Sequence, residues 1–167
     1  MAYDLADNVI VKPLFYKAAT LGTVAISTPD QLVAFAAAVN AGGEEAAAKA
    51  VLTQDIDMKD VAWTPIGNGA YTTANAMTGP AFQGTFDGQG HTIRNLKMVC
   101  KAAQATSAWG FFGAVANGAV VENLIFDASC SLEDKATAGT DCGVVAGLVY
   151  EATVRNVVNK APISFDG

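Results

Sequence analysis

The stretch Gly110-Phe111-Phe112-Gly113-Ala114-Val115-Ala116-Asn117-Gly118-Ala119-Val120-Val121-Glu122-Asn123-Leu124 decides the reading of this chain, because it recurs. Gly143-Val144-Val145-Ala146-Gly147-Leu148-Val149-Tyr150-Glu151-Ala152-Thr153-Val154-Arg155-Asn156-Val157 aligns with it without a gap, 33 residues later. A shorter copy, Thr92-Ile93-Arg94-Asn95-Leu96, lies 28 residues upstream. The shared core is apolar, charged, Asn, apolar. In a flat strand Ile93 and Asn95 would share a face and Leu96 would point the other way. A corner at the Asn resolves this, since Asn tolerates the left-handed backbone that most residues resist. The bend resets the in/out parity, so Ile93 and Leu96, Val121 and Leu124, and Val154 and Val157 can all point inward. Stacking the units places Asn95, Asn123 and Asn156 above one another, roughly 4.8 Å apart, as an amide ladder. Gly110, Gly113, Gly143 and Gly147 fit the remaining corners, where a Cβ would clash. Units that bury their apolar faces only by stacking form a solenoid.

Working outward, Thr28 is an N-cap, Pro29 takes the first helical position and Gln31 completes a capping box. Leu32, Phe35, Ala36 and Val39 then form an apolar stripe that predicts a helix over 28–41, stopped by Asn40 and Gly42-Gly43. Residues 44–50 allow a second short helical turn. Beyond Val51 the helical period disappears. Short β-rich runs alternate with glycines, too closely spaced for βαβ units. Residues 68–80 read as a surface loop. The expected organisation is an extended arm at 1–25 and a repeat domain at 26–167. The class is mainly β: a right-handed parallel β-helix whose first coil is capped by the helix. No comparable cap follows the last repeat.

The chain has 167 residues with a net charge of −6, and only 16% of them are charged. An acidic chain has no electrostatic reason to hold nucleic acid or an anionic membrane. No apolar stretch is long enough to insert into a bilayer. The N-terminus, Met1-Ala2-Tyr3-Asp4-Leu5-Ala6-Asp7, is not that of a signal peptide. The three cysteines are an odd number for a disulfide framework. Either Cys130 and Cys142 staple the polar segment between them, or Cys100, Cys130 and Cys142 are all small buried thiols.

The ordered series Ile26-Ser27-Thr28-Pro29-Asp30-Gln31-Leu32, Leu52-Thr53-Gln54-Asp55-Ile56-Asp57-Met58, Trp63-Thr64-Pro65-Ile66-Gly67 and Phe82-Gln83-Gly84-Thr85-Phe86-Asp87-Gly88-Gln89-Gly90-His91-Thr92-Ile93 leads into the two long repeats. This series resembles the GLUG-motif proteins, repetitive surface proteins of gut bacteria. The resemblance covers 26–160 and departs at Ala146, where the motif favours glycine. It implies a β-helix, an extracellular or surface setting, and no catalytic residue.

The residues themselves offer little chemistry. His91 is the sole histidine, so a Ser-His-Asp triad would rest on it alone, and no nucleophile elbow lies nearby. Asp55, Asp57, Asp60 and Asp87 are hard oxygen donors of the kind calcium takes, without EF-hand spacing. Asp55 and Asp57 otherwise cap corners or face solvent. No catalytic residue, cofactor or metal is therefore expected. Trp63, Tyr71 and Trp109 have faces that can stack on a sugar ring. Trp63 reads as core and Tyr71, in the loop, as the better ligand contact. The functional expectation is a non-enzymatic structural or adhesive module, extracellular, on a virion or a bacterial cell surface. Its partners would be further copies of itself, other virion or surface proteins, or a glycan or host surface. The missing signal, the arm and the uncapped end favour a phage fibre or decoration protein. The resemblance favours a bacterial adhesin, and a polysaccharide-active enzyme is the distant alternative.

Overall fold

A computed structural model describes residues 22–71, 77–101, 108–136 and 140–165. The chain is mainly β with parallel sheets and one α-helix among these residues. Of the expected arm, residues 1–21 lie outside the described ones. Strand β1 (Val24–Ile26) comes first, followed by helix α1 (Pro29–Asn40) and a 3-10 turn at Glu44–Ala47. Strands β2 (Lys49–Leu52), β3 (Ile56–Asp57), β4 (Ala70–Tyr71) and β5 (Met77–Thr78) precede the repeats. Then come β6 (Thr85–Asp87), β7 (Thr92–Arg94), β8 (Lys97–Lys101) and β9 (Ala108–Trp109). The first long repeat supplies β10 (Phe112–Ala116), β11 (Val120–Phe126), β12 (Ser131–Lys135) and β13 (Asp141–Cys142). The last tier is β14 (Ala146–Tyr150), β15 (Thr153–Asn159) and β16 (Ile163–Phe165).

Helix α1 starts where its chemistry says it should. Thr28 Oγ1 accepts from Gln31 N at 3.2 Å, and Gln31 Oε1 accepts from Ser27 N at 2.8 Å. It ends at Gly42, whose φ of +74° suits a residue without a Cβ. Its buried stripe is Leu32, Phe35, Ala36 and Val39. Phe35 packs its ring 6.0 Å from Phe82 and 6.2 Å from Phe86, so the helix lies against the aromatic core of the repeats.

Every named strand pair is parallel except β4–β5. Like residues therefore stack in columns. One column runs Val24, Ala50, Phe86, Val121, Val154. A second runs Ile56, Ile93, Phe126, Asn159. A third runs Met98, Leu132, Ile163. Strand β11 pairs with β6 over its first half and with β7 over its second, bending between the two at Asn123. The repeat glycines permit close approach of neighbouring tiers: a Cβ on Gly113 would meet Gly67 O, and one on Gly110 would meet Gly143 O.

Burial along the columns stops abruptly at the last tier. Val115, Val121 and Leu132 are 0–1% exposed, while their stacked partners Val149, Val154 and Ile163 are 47%, 38% and 46% exposed. Phe165 is 71% exposed. The large exposed apolar side chains of the described residues all fall between 149 and 165. Strands β15 and β16 each pair on one edge only, with β11 and β12.

Candidate functional site

Three regions carry the polar chemistry. The first is the set of corners. Asn95, Asn123 and Asn156 all adopt the left-handed backbone, with φ of +55°, +55° and +51°. Asn156 Nδ2 donates to Asn123 Oδ1 at 2.6 Å, and Asn123 Nδ2 donates to Asp87 Oδ1 at 2.9 Å. Asn95 stands apart from this ladder, contrary to the single three-asparagine stack expected from the sequence. Its Nδ2 donates to Asp57 Oδ1 at 2.8 Å, and its backbone N–H donates to Ser129 Oγ at 2.9 Å. The reason is register. Glu122 pairs with Asp87, so the short motif beneath Val120-Val121-Glu122 is Thr85-Phe86-Asp87 and not Thr92-Ile93-Arg94. Two ladders result, each resting on an aspartate.

Those aspartates are also committed locally. Asp57, Asp87 and Asp127 each accept from a backbone N–H two residues on, at Lys59, Gln89 and Ser129, over 2.9–3.0 Å. Such Asx turns fix chain reversals at the corners. The bond from the Asn95 amide holds the Asp57 carboxyl below its usual range, helped by the Lys59 N–H. The Ser129 backbone N–H and hydroxyl do the same for Asp127. Asp55 accepts from Thr92 N at 2.9 Å, pairs with Arg94 at 2.9 Å and meets His91 Nδ1 at 3.3 Å. That backbone bond, opposed by partial burial and reinforced by His91 and Arg94, depresses its carboxyl too. Asp55, Asp57 and Asp87 thus serve separate turns and strands, and Asp60 occupies a turn of its own at a φ of +59°.

The second region is a disulfide. Cys100 is bonded to Cys142, closing a separation of 42 residues, with Cα atoms 6.6 Å apart. Both expectations for the cysteines are therefore corrected: Cys142 pairs with Cys100 and not with Cys130, and of the three only Cys130 is a buried free thiol. Cys130 is buried, its Sγ 3.2 Å from Ile93 O, and burial raises its thiol. Parallel stacking explains the choice: β13 pairs with β9, which follows β8, so Cys142 comes down beside Cys100. Asp134, the register partner of Cys100, lies next to the pair.

The third region is a surface groove of about 320 Å³ lined by Trp63, Thr64, Lys97, Val99, Lys101 and Trp109. On β8 the alternation buries Met98 and Cys100 and turns Lys97, Val99 and Lys101 outward. Trp63 stacks on Phe111 with centroids 5.2 Å apart and planes 8° from parallel. Its Nε1 donates to Gly110 O at 3.1 Å, so its orientation is fixed. A second depression of about 340 Å³ shares Trp63 and Thr64 and runs toward α1, reaching Asn40 and Asn68. Asn40 ties helix to loop, donating to Pro65 O at 2.9 Å and accepting from Gly67 N at 2.8 Å. Asn68 Oδ1 is buried and accepts no hydrogen bond from the described residues. The side chain of Tyr71, the expected ligand contact, lies outside the described residues; its backbone pairs with Met77. Sequence reasoning did not single out Lys97 or Lys101, although the Lys-x-Val-x-Lys alternation places both on one strand face.

A relative is known. The chain is 34% identical over 117 residues to Halomucin of Haloquadratum walsbyi, which is 68% of this chain and 1% of that protein. The chain therefore spans a very small part of the relative's length. No family model and no solved structure matches. Among the described residues no helix is long and apolar enough to cross a membrane.

Proposed function

We propose that the chain is a right-handed parallel β-helix, each tier one coil and α1 its cap, acting as a non-enzymatic structural or adhesive module on an outer surface. The in-register parallel columns support the solenoid, since each tier buries its apolar residues on the next. The GLUG resemblance points the same way. The Cys100–Cys142 bond supports an oxidising, extracellular compartment. Likeness to Halomucin, a protein of a cellular organism, favours a cell surface over a virion. The carboxylates engaged in turns and ladders support a framework role over catalysis.

The observation that carries the reading is the open last tier. Val149, Val154, Ile163 and Phe165 occupy positions whose counterparts one tier below are covered or paired, and strand edges of this kind template further strands. This tier is a surface on which a further tier can stack, from a longer polypeptide or from another chain. Light scattering of the purified protein across concentrations tests it. A stable assembly that Val154→Lys with Ile163→Lys returns to monomer is the expected result. A monomer at every concentration refutes assembly through this face.

A further inference from the structure

We infer that the groove at Trp63 is a binding site for an acidic polysaccharide, one whose sugar rings carry carboxylates. This deepens the adhesive reading by naming its ligand class, and it does not depend on assembly through the last tier. Three features converge on that chemistry. The groove contains both tryptophans of the chain, Trp63 and Trp109, and indole faces are flat apolar platforms suited to the C–H faces of pyranose rings. Trp63 is locked by its stack on Phe111 and its bond to Gly110 O, so little freedom is lost when a ring settles on it.

Charge is the second feature. The whole chain is net −6, yet the charged residues lining this groove are Lys97 and Lys101. Neither has an ion-pair partner among the described residues. On the same strand face the nearest acid by register is Glu133, opposite Val99, and it is paired with Lys135 at 3.0 Å; Asp134 stands opposite Cys100 on the other face, and Asp60 lines a separate depression with Lys97. Two ammonium groups flanking a valine on one strand face offer carboxylates a charge-assisted bond on either side of a stacked ring. The third feature is Asn68, which lines the adjoining depression and whose buried Oδ1 has no donor among the described residues. Sugar hydroxyls supply donors for such an acceptor. The two depressions meet at Trp63 and Thr64, so the site suits successive residues of a polymer.

Because both tryptophans of the chain line this groove, tryptophan fluorescence reports on it. The full chain is titrated with tetragalacturonate, with maltotetraose and polyglutamate as comparisons. A saturable fluorescence change with tetragalacturonate is expected, with much weaker responses to the other two. Lys97→Gln with Lys101→Gln, both exposed and outside the core, should weaken binding on the order of tenfold or more. Three results overturn the proposal: no response to tetragalacturonate at millimolar concentration, equal binding of maltotetraose or polyglutamate, or an affinity unchanged in the double variant. Light scattering on the same samples keeps the assembly question separate, since a monomer that binds tetragalacturonate refutes only assembly.

Discussion

Replacing Asn123 separates the contributions that the corner ladder makes. Its amide donates to the Asp87 carboxylate at 2.9 Å and its carbonyl accepts from Asn156 at 2.6 Å, at a backbone φ of +55°. A bond to a charged group contributes about 1.5–3 kcal/mol and a neutral one about 1 kcal/mol, with partly exposed pairs at the low end. Asn123→Gly keeps the left-handed backbone and removes both bonds, so it should cost about 2–3 kcal/mol. Asn123→Leu also forces a branched residue into that conformation, adding about 1–2 kcal/mol. Urea unfolding measures both, and a shift of midpoint with unchanged slope identifies a change in stability. The decisive comparison is a pair of double-mutant cycles. Asn123 and Asn156 should couple by about 0.5–1.5 kcal/mol, while Asn123 and Asn95 should add to within about 0.5 kcal/mol because they belong to different ladders. Coupling between Asn95 and Asn123 with none between Asn123 and Asn156 would refute the two-ladder assignment.

Two further outcomes follow from the same geometry. Cys100→Ser with Cys142→Ser opens a loop of 42 residues, and chain entropy puts the loss near 3–4 kcal/mol; thermal unfolding in matched oxidised and variant samples checks it, and an unchanged midpoint would show that the bond constrains nothing. Asp55, Asp57 and Asp127 all have folded-state pKa values held below the usual carboxylate range, so their stabilisation is complete above the unfolded value of about 3.9 and is lost as pH falls through the lower folded values. Asp57→Asn, which cannot titrate, should flatten part of the acid limb of a stability–pH curve, and an identical limb in the variant would exclude Asp57 as a contributor.

The parallel β tiers were legible because the two long repeats align without gaps, and the 33-residue offset that matches Asn123 to Asn156 is the register of β11 on β15; β10 sits one residue out of that alignment, Phe112 pairing with Ala146 and Val115 with Val149. Helix α1 was legible for a different reason: its caps are local, and Thr28, Gln31 and Gly42 act within one turn of their positions. The short repeat misled because Arg94-Asn95 and Asp87-Gly88 compete for the same place beneath Glu122-Asn123. Residue types alone favour the asparagine match, while backbone pairing puts Gly88 there, where its N–H bonds Glu122 O at 2.8 Å. The disulfide was beyond local reading because its partners are brought together by β8, β9 and β13, and the nearer cysteine in sequence, Cys130, is held inside against Ile93. The groove was half visible. Trp63 and Trp109 were recognised as sugar-stacking shapes, but they lie 46 residues apart and nothing in the sequence says that they share a surface with Lys97 and Lys101.

The ladders also have a direction, and it bears on the open end. An ionised aspartate only accepts hydrogen bonds, whereas an asparagine both donates and accepts. Asp57 and Asp87 therefore form bases: each receives the amide of the tier above and passes nothing downward through its side chain. Asn123 and Asn156 then repeat one step, each Nδ2 donating toward the base, and Asn123 Oδ1 receives the tier above. Starting the ladder with an asparagine would leave an amide donor unmatched at the bottom, and the acidic residue removes that cost. At the top, no further amide stacks on Asn156 among the described residues, on the same tier where Val154 and Ile163 lose the cover that Val121 and Leu132 have. Polar and apolar columns thus stop at one level and in the same state, a surface that a further tier bearing an amide donor beside an inward aliphatic residue would complete.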